Sequence, residues 1–160
     1  MSIIVEADVS GEWDSQQDWL ALAERAVRAA IAQSGWPDLA DTEVSVKFTS
    51  DEEVRALNAA WRGKDKATNV LSFPMAEEPE GAPMLGDIVL ASGVCAREAE
   101  HKKVAVETHA THLVVHGTLH LLGYDHETGD DDAEEMEAIE RQALASLGIA
   151  DPYHVNEVEL

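Results

Sequence analysis

The order of strand-like and helix-like stretches predicts an α+β domain, one mostly mixed four-stranded sheet covered by helices. Two further observations support it. The 160 residues are 45 % hydrophobic, enough to bury one good core. No internal repeat or interdomain linker interrupts them, so residues 1–160 are expected to fold as a single domain.

Residues 3–9, rich in Ile and Val, read as the first strand. Asp14 or Ser15 is expected to cap a helix whose apolar positions, from Trp19 through Leu22, Ala26 and Val27 to Ile31, keep the 3.6-residue period. Gly35 and Pro37 end it. Val44, Val46 and Phe48 alternate with polar residues as a half-buried second strand. Ser50-Asp51-Glu52-Glu53 has the form of a capping box and opens a short helix expected to bury Val54, Leu57 and Trp61.

A polar turn from Arg62 to Thr68 leads to a third strand over 69–73, stopped by Pro74. The acidic, proline-rich stretch 76–83 reads as a surface loop and 85–90 as the fourth strand. Helices are expected over 92–102, over 104–122 and over 131–147, the last burying Met136, Ile139, Ala143 and Leu147.

The chemistry concentrates on the helix over 104–122. His116 and His120, four residues apart, sit one turn above each other, roughly 6 Å along the axis. Gly123 can end the helix in a left-handed residue and swing His126 back toward them. Three imidazole nitrogens at about 2 Å would hold one Zn²⁺ and leave a position for water; nickel or cobalt suits such ligands too. The spacing is that of the metzincin zinc motif with one departure: Gly117 stands where that motif has its general-base glutamate, which argues against peptide hydrolysis. His109 and His112 share the histidine face. His109 is expected to be exposed, and His112 to be a partner of the metal ligands or a wall of the cleft, or else a satisfied core histidine.

The formal charge is −21, with 32 acids against 11 Lys and Arg, which excludes a broad nucleic-acid-binding face. Residues 127–140 carry eight acids and no base. Arg62, Lys64 and Lys66 crowd into one turn, and Arg97, Lys102 and Lys103 form a second group that reads as a solvated face. Cys95, the lone cysteine, excludes an internal disulfide, suits a reducing cytosol and reads as a small buried hydrophobe. No run approaches the ~20 apolar residues of a membrane span, and the N-terminus lacks the features of a signal peptide, so a soluble cytoplasmic protein is expected.

Three blocks together resemble the YbeY family: Leu57 to Pro74, Leu85-Gly86-Asp87-Ile88, and His116 to His126. Trp61 and Ala67 depart from that pattern, where tyrosine and proline are usual. The resemblance implies a zincin-like fold. It further implies a zinc-dependent, single-strand-specific endoribonuclease acting in 3′-end maturation of small-subunit rRNA and in ribosome quality control. Carried onto this chain, one Zn²⁺ falls to His116, His120 and His126, and the essential arginine is Arg62. The partners implied are single-stranded rRNA, the small subunit and its associated proteins, with no membrane.

The residue types suit phosphodiester chemistry. A guanidinium stays charged and donates a planar pair of hydrogen bonds to phosphoryl oxygens, which fits Arg62, with Lys64 and Lys66 as point charges for the backbone. The alternative for Arg62 is a surface salt bridge with Asp65. The proton acceptor stays open, since Asp125 could act as the base or instead orient a ligand; the nucleophile stays open too, since an RNA 2′-hydroxyl could attack with metal and arginine stabilising the transition state. Asp87 either lines the cleft or satisfies backbone amides. The tryptophans read as core. A metallopeptidase-like hydrolase and a non-catalytic, zinc-stabilised ribosome assembly factor are the alternative functions. A narrow positive cleft on an acidic body predicts weak binding of naked RNA, with a log–log salt slope of magnitude about 2–3.

Overall fold

The structure is a computed structural model and describes residues 3–34, 42–74, 84–124 and 130–149. Four strands, β1 (Ile3–Val9), β2 (Thr42–Thr49), β3 (Val70–Pro74) and β4 (Met84–Ala91), form one sheet in the order β1-β2-β4-β3. β1 with β2 and β2 with β4 run parallel, while β3 and β4 run antiparallel, so the sheet is mixed as expected. The helices are α1 (Trp19–Ser34), α2 (Asp51–Arg62), α3 (Ser92–Lys102), α4 (Val106–Leu121) and α5 (Asp130–Ser146).

Strand alternation divides the core into two layers. Val44, Val46, Phe48, Ile88 and Leu90 join a large cluster with α1, α4 and α5, while Leu71, Val89 and Ala91 meet Val54 of α2 on the opposite face. Burying a residue such as Phe48, which is fully enclosed, contributes about 1.5–3 kcal/mol. None of the helices among the described residues is long and apolar enough to cross a membrane.

Three local expectations are corrected. The first helix starts at Trp19 and is capped by Asp18, whose carboxylate accepts from the Ala21 amide at 3.0 Å. Asp14 closes a tighter turn onto Gln16, because the indoles of Trp13 and Trp19 must reach the carbonyls of Thr49 and Asp14. The helix over 104–122 begins at Val106, because Lys103 adopts a left-handed conformation (φ 60°) and folds the end of α3 back on itself. Trp61 is 72 % exposed rather than buried. It stands beyond the edge strand β3, where its ring meets only the edge of Phe73 among the described aromatics, at 6.5 Å.

The capping box at Ser50 is half made. The Ser50 hydroxyl accepts from the Glu53 amide at 3.2 Å, but the Glu53 carboxylate turns to Lys47 at 2.5 Å.

Candidate metal centre and cleft

Between α3, α5 and the sheet edge, α4 presents its histidines as a ladder, with ring centroids 6.0, 6.4 and 4.6 Å apart from His109 to His120. This face is not open to solvent along its length. His109 is buried, contrary to expectation, because α3 places Glu98 against it: His109 Nε2 lies 2.7 Å from Glu98 Oε1. Burial lowers the His109 pKa and outweighs the pull of that carboxylate.

One turn further on, a fully buried Glu140 from α5 holds two histidines. Its Oε2 is 3.0 Å from His112 Nε2 and its Oε1 is 2.5 Å from His116 Nδ1. Burial would raise the Glu140 pKa, but hydrogen bonds from His112 and His116 hold it well below the usual carboxylate range. An ionised carboxylate only accepts, so His116 must donate through Nδ1, which leaves its Nε2 as a lone pair.

That lone pair faces His120 Nε2 at 3.0 Å. Two imidazoles bound at about 2.0 Å to one tetrahedral ion would bring their nitrogens to about 3.3 Å, so the pair fits a divalent metal with little adjustment. A carboxylate behind a ligating histidine is also the arrangement that orients such ligands. Among the described residues no group of three His, Cys, Asp or Glu side chains is placed to hold a metal ion. His126, the expected third ligand, and Asp125 lie outside the described residues, as does Trp36. The chain leaves α4 through Gly123 at φ 99°, with the Tyr124 amide on the Leu119 carbonyl and the Tyr124 hydroxyl on the Ser34 carbonyl.

Gly117 has a packing reason. A Cβ there would stand 2.9 Å from Ile88 Cγ2 and 3.1 Å from Ser72 Oγ, so the position points into the sheet and cannot carry a glutamate toward the histidines.

Arg62, the last residue of α2, reaches across the same cleft. Its guanidinium donates to the Ser72 carbonyl at 3.2 Å, while the Ser72 hydroxyl donates to the Gly117 carbonyl at 3.2 Å. Asp65 is taken instead by Arg55, through two contacts of 2.8 and 3.2 Å, which removes the salt-bridge reading of Arg62. The loop after α2 turns at Gly63 (φ 69°), and buried Asn58 pins it by donating to the Lys66 carbonyl at 2.9 Å. Arg62, Lys64, Lys66, Ser72, His116 and His120 thereby border one cleft of about 600 Å³. Asp87 is not among its described lining. It alternates with Ile88 and so lies on the opposite face of the sheet, where burial raises its pKa.

Sequence reasoning missed Glu140, Glu98, Asn58 and Ser72. Glu140 left one signal: it falls on the apolar stripe of α5, between buried Met136 and Leu144 at spacings of four. Trp13, Trp19 and Cys95 are core, as expected.

Comparison with known proteins follows the same line. The profile of the family described as endoribonuclease YbeY matches residues 7–148. The chain is 56 % identical over 165 residues to endoribonuclease YbeY of Novosphingobium aromaticivorans, covering 96 % of this chain and 98 % of that protein. It is 53 % identical over 158 residues to endoribonuclease YbeY of Bradyrhizobium diazoefficiens, covering 94 % and 83 %. Its fold is similar to the solution structure of TM1509 from Thermotoga maritima, with a TM-score of 0.57 at 25 % identity over 90 % of this chain and 91 % of the other. With its mixed sheet and its histidine helix laid along the edge, the chain belongs to the endoribonuclease YbeY family.

Proposed function

We propose that this protein is a zinc-dependent endoribonuclease for single-stranded RNA, acting in the cytoplasm on the 3′ end of small-subunit rRNA and in ribosome quality control. The observation that carries the reading is the pairing, across one cleft, of Arg62 with two histidines whose Nε2 atoms converge at 3.0 Å. His116, His120 and His126 would hold one Zn²⁺. A bound divalent ion supplies Lewis acidity, acting on a phosphoryl oxygen or on a water.

The chain's own residues do the rest. Glu140 fixes which nitrogen of His116 faces the cleft. The Arg62 guanidinium, seated on the Ser72 carbonyl, presents its remaining N–H groups to a phosphoryl group that gains negative charge. Lys64 and Lys66 draw the RNA backbone in without needing to hydrogen-bond bases, which suits a substrate recognised as a single strand. Docking on the small ribosomal subunit or its proteins would present that strand to an otherwise repelling −21 body.

The peptidase alternative is weakened by Gly117, whose position faces Ile88 and Ser72 rather than the cleft. The test pairs labelled single-stranded RNA and casein as substrates for zinc-loaded protein, with and without chelator, beside a His120→Ala variant. RNA cleavage lost on chelation and in the variant, with circular dichroism intact, is the expected result. Cleavage of casein, or RNA untouched by folded, loaded protein, would overturn the reading. Unfolding on chelation, with no cleavage beforehand, would favour the structural-zinc assembly factor.

A further inference from the structure

The second basic group, Arg97 and Lys102 on α3, borders a groove of about 470 Å³ between α3 and α4. His116 and Asn69 line both this groove and the histidine cleft, so the two depressions adjoin. From His109 to His116 the shared helix rises about 10 Å.

Charge separates these two depressions from the rest of the chain. Together they are bordered by Arg62, Lys64, Lys66, Arg97 and Lys102, five of the protein's 11 Lys and Arg. Against these stands one described acid, Glu98. A third depression, near the start of α1, is bordered by Glu12, Asp14 and Asp18 and by no Lys or Arg. In a chain with 32 acids, gathering bases along one continuous track is not what a uniformly solvated surface would show.

The one acid in the groove is already engaged. Glu98 accepts from His109 at 2.7 Å and from Asn69 Nδ2 at 3.1 and 3.4 Å, so its oxygens are turned onto the floor. Arg97 holds Asp51 through a single contact of 3.2 Å with its own side chain 69 % exposed. An exposed single-contact pair of this kind is weak, and water and salt screen it. A phosphate can therefore take over the remaining N–H groups of that guanidinium.

We propose that the α3–α4 groove is a phosphate-binding extension of the cleft, in which Arg97 and Lys102 hold the backbone of the same RNA strand on one side of the scissile bond. It rests on the endoribonuclease reading above. The strand enters at Lys64 and Lys66, passes His116 and His120, and leaves along α3. Counterion release puts numbers on this. Each neutralised phosphate of a single strand adds about 0.7 to the salt slope, so three bases give about 2 and five give about 3.5.

The experiment measures affinity against salt for zinc-loaded protein and 5′-labelled single-stranded RNAs of 3 to 12 nucleotides. It compares wild type with an Arg97→Gln/Lys102→Gln variant, and metal content and melting are checked on both. The expected result is a slope near 3.5 for the 12-mer on wild type and near 2 on the variant. A loss of affinity of about tenfold at 0.1 M salt, growing with RNA length, should accompany it. Equal slopes and affinities at every length, on protein that cleaves RNA, would overturn the groove while leaving the endoribonuclease intact. Folded, loaded wild type that neither binds nor cleaves RNA would overturn both.

Discussion

His116 Nδ1 and Glu140 Oε1 lie 2.5 Å apart, joining the helix that carries the histidines to the acidic helix 24 residues later. The carboxylate sits behind the imidazole, away from the cleft, and its second oxygen is occupied by His112. Glu140→Gln should therefore weaken metal binding by about 10–100-fold, because an amide can hold either tautomer of His116. The variant should also be less stable by roughly 3 kcal/mol, since one partner of a buried charged network is lost. Chelator competition reads the first effect and urea unfolding the second. A stability loss with unchanged metal affinity would leave Glu140 a helix-packing residue only.

Arg62 is expected to act through its planar fork. Arg62→Lys keeps the charge but cannot both seat on the Ser72 carbonyl and present two parallel donors to phosphate. RNA cleavage should fall by about 10²–10³-fold, the scale of removing one oxyanion donor, while melting and metal content persist. Single-turnover cleavage rates check it, and wild-type rates would remove Arg62 from the chemistry.

Gly117→Ala sets two effects against each other. Alanine favours the helix by about 1 kcal/mol over glycine. Its Cβ must also fit 2.9 Å from Ile88 Cγ2, in a packed layer where an extra methyl costs about 1–3 kcal/mol. A net loss of roughly 1 kcal/mol is expected by urea unfolding. Gly117→Glu should fold poorly and gain no activity on casein, because the side chain points at the sheet.

Cys95 is fully buried, and burial, with Glu98 and Glu107 adding to it, pushes its thiol up to about 12. The unfolded thiol ionises near 9.0, so above that pH the unfolded chain holds fewer protons than the native one. Stability from this group is thus complete below pH 9 and is lost as pH rises toward 12. The stability gap between wild type and Cys95→Ala should narrow over that window. At pH 8, alkylation of native Cys95 should be limited by opening of the fold and become rapid in denaturant.

Local periodicity and short-range spacing account for what was legible along the chain. The strands and helices, the His116/His120 pair one turn apart, the stop at Gly123 and the cap at Ser50 all depend on residues a few positions apart. Where two local solutions competed, tertiary contacts chose. Asp18 rather than Asp14 caps α1 because the indoles of Trp13 and Trp19 claim the preceding turn, and Trp61 is exposed because the sheet ends at β3. Which charges meet follows from packing. Glu140 is one acid among eight in residues 127–140, yet it packs in the core against His112 and His116. Asp65 lies three residues from Arg62 and still pairs with Arg55, freeing Arg62 for Ser72. Burial makes an unpartnered charge so costly that Glu140 must be matched where it packs, and its partners lie 24 and 28 residues away along the chain.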